Sequence, residues 1–91
     1  LPLLLEKLKE ENSGIRAKAI KALGSFADRS LTPHLLPFLD AGDGLTDVEA
    51  VLALAKTGEL HLEERIMQLA NSPLRATRIA VATALGMLTP A

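Results

Sequence analysis

The sequence predicts an all-α fold of three stacked helical hairpins, and three observations carry that expectation. A 31-residue shift lays the chain on itself twice without a gap. Within each unit the apolar residues recur at helical spacing. Between the apolar runs lie short stretches of Gly, Asn, Asp, Ser and Pro that form turns.

The shift is plainest in Ala22-Leu23-Gly24, Ala53-Leu54-Ala55 and Ala84-Leu85-Gly86. It also carries Leu4-Leu5 onto Leu35-Leu36 and Ile66-Met67, Leu8 onto Leu39 and Ala70, and Leu31 onto Leu62. Self-similarity at such a period marks a repeat architecture, in which each unit buries one face against its neighbours. The expected units are 1–31, 32–62 and 63–91, a single domain over 1–91.

Six helices follow from the pattern. The first, over 2–10, places Leu4, Leu5 and Leu8 on one face. The second, over 14–27, aligns Ile15, Ala19, Ala22, Leu23 and Phe26 and leaves Lys18, Lys21 and Ser25 opposite. Thr32-Pro33 supplies an N-cap hydroxyl and a proline at the first helical position for 33–40, and Ser72-Pro73 does the same for 73–88. Thr46 with Glu49 has capping-box spacing for 46–57. The fifth helix spans 63–70. Small residues let helix axes approach closely, so Ala19, Ala22 and Gly24 are expected under the Leu4, Leu5 and Leu8 row.

Composition narrows the function. Apolar residues make up 48% of the chain and aromatics 2%, only Phe26 and Phe38, so the core must be aliphatic. A net charge of −1 provides no global field for nucleic acid. The chain has no cysteine, which removes thiolate chemistry and is compatible with the cytoplasmic location expected here. The longest apolar stretch, 79–88, falls short of the ~20 residues a membrane helix needs. Leu1, Leu3, Leu4 and Leu5 at one end, and Ile79, Val81, Leu85, Met87 and Leu88 at the other, are apolar where a finished stack needs polar ends. Excision from a longer chain, with flanking repeats, or an end-to-end oligomer is the expectation.

The pattern Ile15-Arg16-x-x-Ala19-x-x-Ala22-Leu23-Gly24, followed by Pro33-x-Leu35-Leu36-x-x-Leu39-Asp40, resembles the short bacterial and archaeal HEAT-like repeats, including those named after phycobilisome lyases. The resemblance covers essentially the whole chain. It is best in the first unit; Thr46-Asp47 replaces the Ile-Arg pair in the second, and Thr77-Arg78 keeps only the arginine in the third. It implies an antiparallel helix pair per repeat in a right-handed α-α superhelix, with the longer helix convex and the Leu-Leu helix concave. It implies no activity, since such proteins range from scaffolds to lyase subunits.

Candidate chemistry is sparse. His34 and His61 stand 27 residues apart, at different repeat positions, with no nucleophile pattern beside them. Asp40, Asp43 and Asp47 cluster, but glycines occupy the third and fifth places counted from Asp40 and no Glu stands at the twelfth, so the calcium-loop alternation is missing. Glu63 and Glu64 are adjacent on a helix and diverge by ~100°. No phosphate loop and no cofactor or metal motif occurs. The expectation is a non-catalytic protein-interaction scaffold that needs no cofactor.

Its partner is expected to be a protein or peptide, docking on the concave face at His34, Phe38, Arg65 and Gln68. Val48, Leu52 and Ile79 form a rival convex patch. Arg16, Asp47 and Arg78 share one position of successive units and are expected to form an inter-repeat charge ladder. The units carry +2, −4 and +1, so a continuous basic track for nucleic acid (Lys7, Lys9, Arg16, Lys18, Lys21, Arg75 and Arg78) is interrupted in the middle. A nucleic-acid solenoid, or an accessory subunit of a lyase complex, is the alternative.

Overall fold

The computed structural model describes residues 2–88; Leu1 and residues 89–91, which the repeat units include, lie outside it. Six α-helices follow in order: α1 (Pro2–Lys7), α2 (Ser13–Gly24), α3 (Thr32–Leu35), α4 (Thr46–Lys56), α5 (Glu63–Met67) and α6 (Arg75–Leu88). Short 3-10 segments at Arg29–Leu31, Leu36–Asp40 and Leu60–Leu62 connect them, and no strand occurs among the described residues. The all-α expectation holds.

The longer helices pack in chain order, α2 against α4 and α4 against α6. On them lie the shorter ones: α1 on α2, α3 and the 3-10 segment after it on α4, and α5 on α6. The Cα envelope measures 35 × 27 × 16 Å. Its thin dimension fits two helix layers, because axes ~10 Å apart with a Cα radius of ~2.3 Å on each side span about that distance.

One aliphatic core fills the space between the layers. Ile20, Leu23, Val51 and Leu54 of the longer helices are fully buried, as are Leu35, Leu39 and Ile66 of the shorter segments. At the first short helix Leu8 is buried, whereas Leu4 and Leu5 are only half-buried.

Gly24 does not sit under the leucine row of α1. It meets α4 instead, where a Cβ built on it would lie 2.6 Å from Ala53 Cβ and 3.0 Å from Ala53 Cα. The small residue therefore sets the approach of two longer helices, and any side chain there would collide with backbone.

Several local features recur at 31 residues. The 3-10 turns at Arg29–Leu31 and Leu60–Leu62 are related by it, and so are the starts of α3 and α5. After α2, Ala27 takes a left-handed φ of 50°, and Gly58 after α4 takes 72°. Both close a helix C-terminus through a backbone amide, Ala27 to Gly24 O at 3.0 Å and Gly58 to Ala55 O at 3.1 Å.

The expected helix over 33–40 is α only as far as Leu35. Pro37 has no amide to extend the α ladder, and the chain continues as a 3-10 segment. The expected caps also differ. Thr32 donates its hydroxyl to Glu59 Oε1 at 2.6 Å rather than capping α3, and no side chain caps α4 at its N-cap residue Leu45; Asp43, in the turn before it, accepts the Thr46 amide, and the Thr46–Glu49 box does not form. Ser72 does receive an amide, from Leu74 at 3.1 Å, just ahead of α6.

Candidate functional site

The position shared by Arg16, Asp47 and Arg78 does not form a charge ladder. Arg16 Nη1 donates to Glu10 O at 2.8 Å and Glu11 O at 3.0 Å, tying down the turn that precedes its own helix. Arg78 Nη1 makes the equivalent bond to Ser72 O at 2.7 Å. Both span six residues, so the arginine works within its unit. Asp47 has no donor for that task and is 2% exposed. It accepts the Thr77 hydroxyl of α6 at 2.9 Å and the amide of Val48 at 3.0 Å.

Arg16 does cross to the next unit, but its partner is Asp43. Its Nη2 lies 3.2 Å from Asp43 Oδ2, which also accepts the Thr46 hydroxyl at 2.7 Å. Asp43 Oδ1 accepts the amides of Leu45 at 2.9 Å and Thr46 at 2.6 Å. Desolvation opposes the charge on Asp43. The Thr46 hydroxyl, the two amides and the Arg16 guanidinium outweigh it and lower the pKa from 3.8 to about 2. Asp43 is the polar hub that sequence reasoning missed. The signal was the Gly42-Asp43-Gly44 turn, since an Asp side chain in a turn accepts the backbone amides that follow it.

The concave set is only partly brought together. Arg65 Nη1 donates to Gln68 Oε1 at 3.2 Å, and Arg65 Nη2 pairs with Asp40 at 2.8 Å. Phe38 is half-buried and packs against the core. Its exposed part lines a groove of about 350 Å³ with Leu8, Lys9, Glu10, Glu11, Arg16, Pro37, Asp40 and Ala41. Asp40 thus stands between the Phe38 groove and the Arg65–Gln68 pair. His34 is exposed and lines none of the described grooves.

The convex set is dispersed. Val48 and Leu52 are half-buried against the core, while Ile79 is 56% exposed. Leu52 lines a second groove of about 290 Å³, which runs across the longer helices between Lys21, Glu49, Lys56, Thr83 and Met87.

The three aspartates have separate tasks: Asp40 pairs with Arg65, Asp43 accepts the amides of Leu45 and Thr46, and Asp47 receives Thr77. No three His, Asp or Glu side chains converge as a metal site would require among the described residues. His61 lies 3.4 Å from Glu59, whose other oxygen receives Thr32. His61 also lines an open groove with Glu63, Glu64 and Met67. No helix is long and apolar enough to cross a membrane among the described residues.

The groove beside Phe38 sets an apolar ring among charges of both signs. Compared with known proteins, the chain matches no family profile and no curated protein sequence.

Proposed function

We propose that the chain is a right-handed stack of three HEAT-like hairpins that serves as a non-catalytic, cytoplasmic protein-interaction scaffold. The repeat reading is supported by the paired 3-10 turns, the matched left-handed residues Ala27 and Gly58, and the equivalent bonds of Arg16 and Arg78.

The observation that carries the interaction reading is the groove beside Phe38. Its walls set a half-buried ring among Lys9, Arg16, Glu10, Glu11 and Asp40. An apolar centre with a mixed-charge rim suits a peptide or helix that brings one large apolar anchor. Nucleic acid fits less well. Its phosphates would meet three carboxylates there, and both Arg16 and Arg78 direct donors to backbone carbonyls. A role as accessory subunit of a lyase complex rests on the sequence resemblance alone.

The test compares Phe38→Ala with Leu52→Lys. Both variants should retain helical circular dichroism, and chemical cross-linking in the source cell should recover a partner set with the wild type. Phe38→Ala is expected to lower that recovery about tenfold, a loss of ~1.4 kcal/mol, while Leu52→Lys leaves it unchanged. Full recovery by Phe38→Ala would end the concave-face reading. Titration with duplex DNA at low salt should show no binding; affinity falling steeply with salt would put nucleic acid in its place.

A further inference from the structure

Five charged side chains share the walls of the Phe38 groove with Leu8, Pro37 and Ala41, and they are not equally free to meet a partner. Two of them are engaged within the chain. Arg16 directs Nη1 to the carbonyls of Glu10 and Glu11, and its Nη2 faces the Asp43 carboxylate at 3.2 Å. Asp40 pairs with Arg65 at 2.8 Å.

The other three are Lys9, Glu10 and Glu11, whose side chains enter no ion pair and no hydrogen bond among the described residues. One ammonium stands against two carboxylates. With Arg16 and Asp40 each beside an opposite charge, the field left at the rim of the groove is negative.

The turn that carries the two carboxylates is also held in place. By binding Glu10 O at 2.8 Å and Glu11 O at 3.0 Å, Arg16 fixes the backbone from which both side chains project. A cationic partner finds its acceptors already beside the ring, which lowers the ordering cost of binding. An acidic partner meets the reverse, because Arg16 is engaged and Lys9 alone opposes two like charges.

We propose that the Phe38 groove receives a basic segment of another protein, in which one large apolar side chain is flanked by arginine or lysine. The inference rests on the scaffold reading above and adds the charge of the partner to it. The apolar anchor lies on Phe38 and Ala41, and the aliphatic stems of the flanking cations follow the groove while their heads reach Glu10 and Glu11. Charge at a rim selects among partners and speeds encounter more than it adds affinity, so the effect is one of preference and depends on salt.

Fluorescence anisotropy tests it with synthetic peptides that share a central phenylalanine and are flanked by arginine, by glutamine or by glutamate. At low salt the wild type should bind the arginine peptide about tenfold more tightly than the glutamine peptide, and the glutamate peptide most weakly. Glu10→Gln combined with Glu11→Gln should remove this preference and keep the helical circular dichroism, because Arg16 binds the carbonyls of these residues and not their carboxylates. Glu63→Gln combined with Glu64→Gln, on α5, changes net charge equally and should leave the preference intact. Equal affinity for the peptides, tightest binding of the glutamate peptide, or a preference that survives loss of both Glu10 and Glu11 overturns the proposal. If Phe38→Ala still weakens binding in those cases, the scaffold reading stands. Binding that Phe38→Ala leaves unchanged, or no binding of any peptide, removes the groove as a docking site and the concave-face reading with it.

Discussion

At the α2–α4 and α4–α6 contacts, Arg16 and Asp47, 31 residues apart, serve in opposite ways. In the first, Arg16 reaches outward to two carbonyls and to the Asp43 carboxylate in the turn before α4. In the second, Asp47 turns inward and receives a threonine hydroxyl where water is excluded. A guanidinium on a long stem can serve several acceptors at the surface. A short carboxylate has no such reach, so it bonds to what lies directly against it. Equivalent positions therefore share a location and need not share a role.

The strongest challenge to this contrast is Asp47→Lys. It places an ammonium beside a buried hydroxyl with no carboxylate to pair it, and should lower unfolding free energy by about 3 kcal/mol or more. Arg16→Ala should cost about 1 kcal/mol, as expected for exposed charge-assisted bonds. Urea denaturation of both variants decides the matter; equal losses would show that the two contacts are energetically alike.

Gly24→Ala probes the closeness of the first contact. The methyl collides with Ala53, and overpacking of ~1–3 kcal/mol is only partly offset by the ~1 kcal/mol that alanine gains over glycine in a helix. The net expectation is a loss. A gain in thermal stability would show that α2 and α4 separate easily.

Acid should weaken the first contact selectively. Asp43 has a folded pKa of about 2 against an ordinary 3.8, so its contribution is fully present above 3.8. Below that pH the unfolded chain binds the proton first, and stability falls until the folded state is protonated near 2. Asp43→Asn should flatten this part of the stability curve, and Asp43→Ala should cost ~1 kcal/mol at neutral pH through loss of its hydrogen bonds to Leu45 and Thr46. An unchanged acid limb in Asp43→Asn would show that another carboxylate governs it.

The smallest effect is expected at the helix ends. Ala27 holds the left-handed conformation that Gly58 holds one unit later. Ala27→Gly should stabilise by roughly 0.5–1 kcal/mol, and Gly58→Ala should destabilise by a similar amount. Calorimetric melting temperatures moving in opposite directions would match the two sites; shifts of the same sign would separate them.

Much of this was legible in the sequence. The helical periodicity of Ile15 to Phe26, the 31-residue shift and the turn residues fix an all-α chain and place its six α-helices within a few residues, because each signal is local or strictly repeated. The 3-10 breakdown after Leu35 departs from the expected helix over 33–40; the missing amide of Pro37 accounts for it. Tertiary structure alone decided the partners of the polar residues. Arg16, Asp47 and Arg78 share a register, yet side-chain length and burial sent them to carbonyls, to Thr77 and to Ser72 O. Gly24 reads in the sequence as any small residue on a helix face; only the packed helices show that Ala53 is what it must admit. Periodicity reports which face of a helix is apolar. Distance across an interface depends on every side chain between the axes, and that sum is set only when the helices meet.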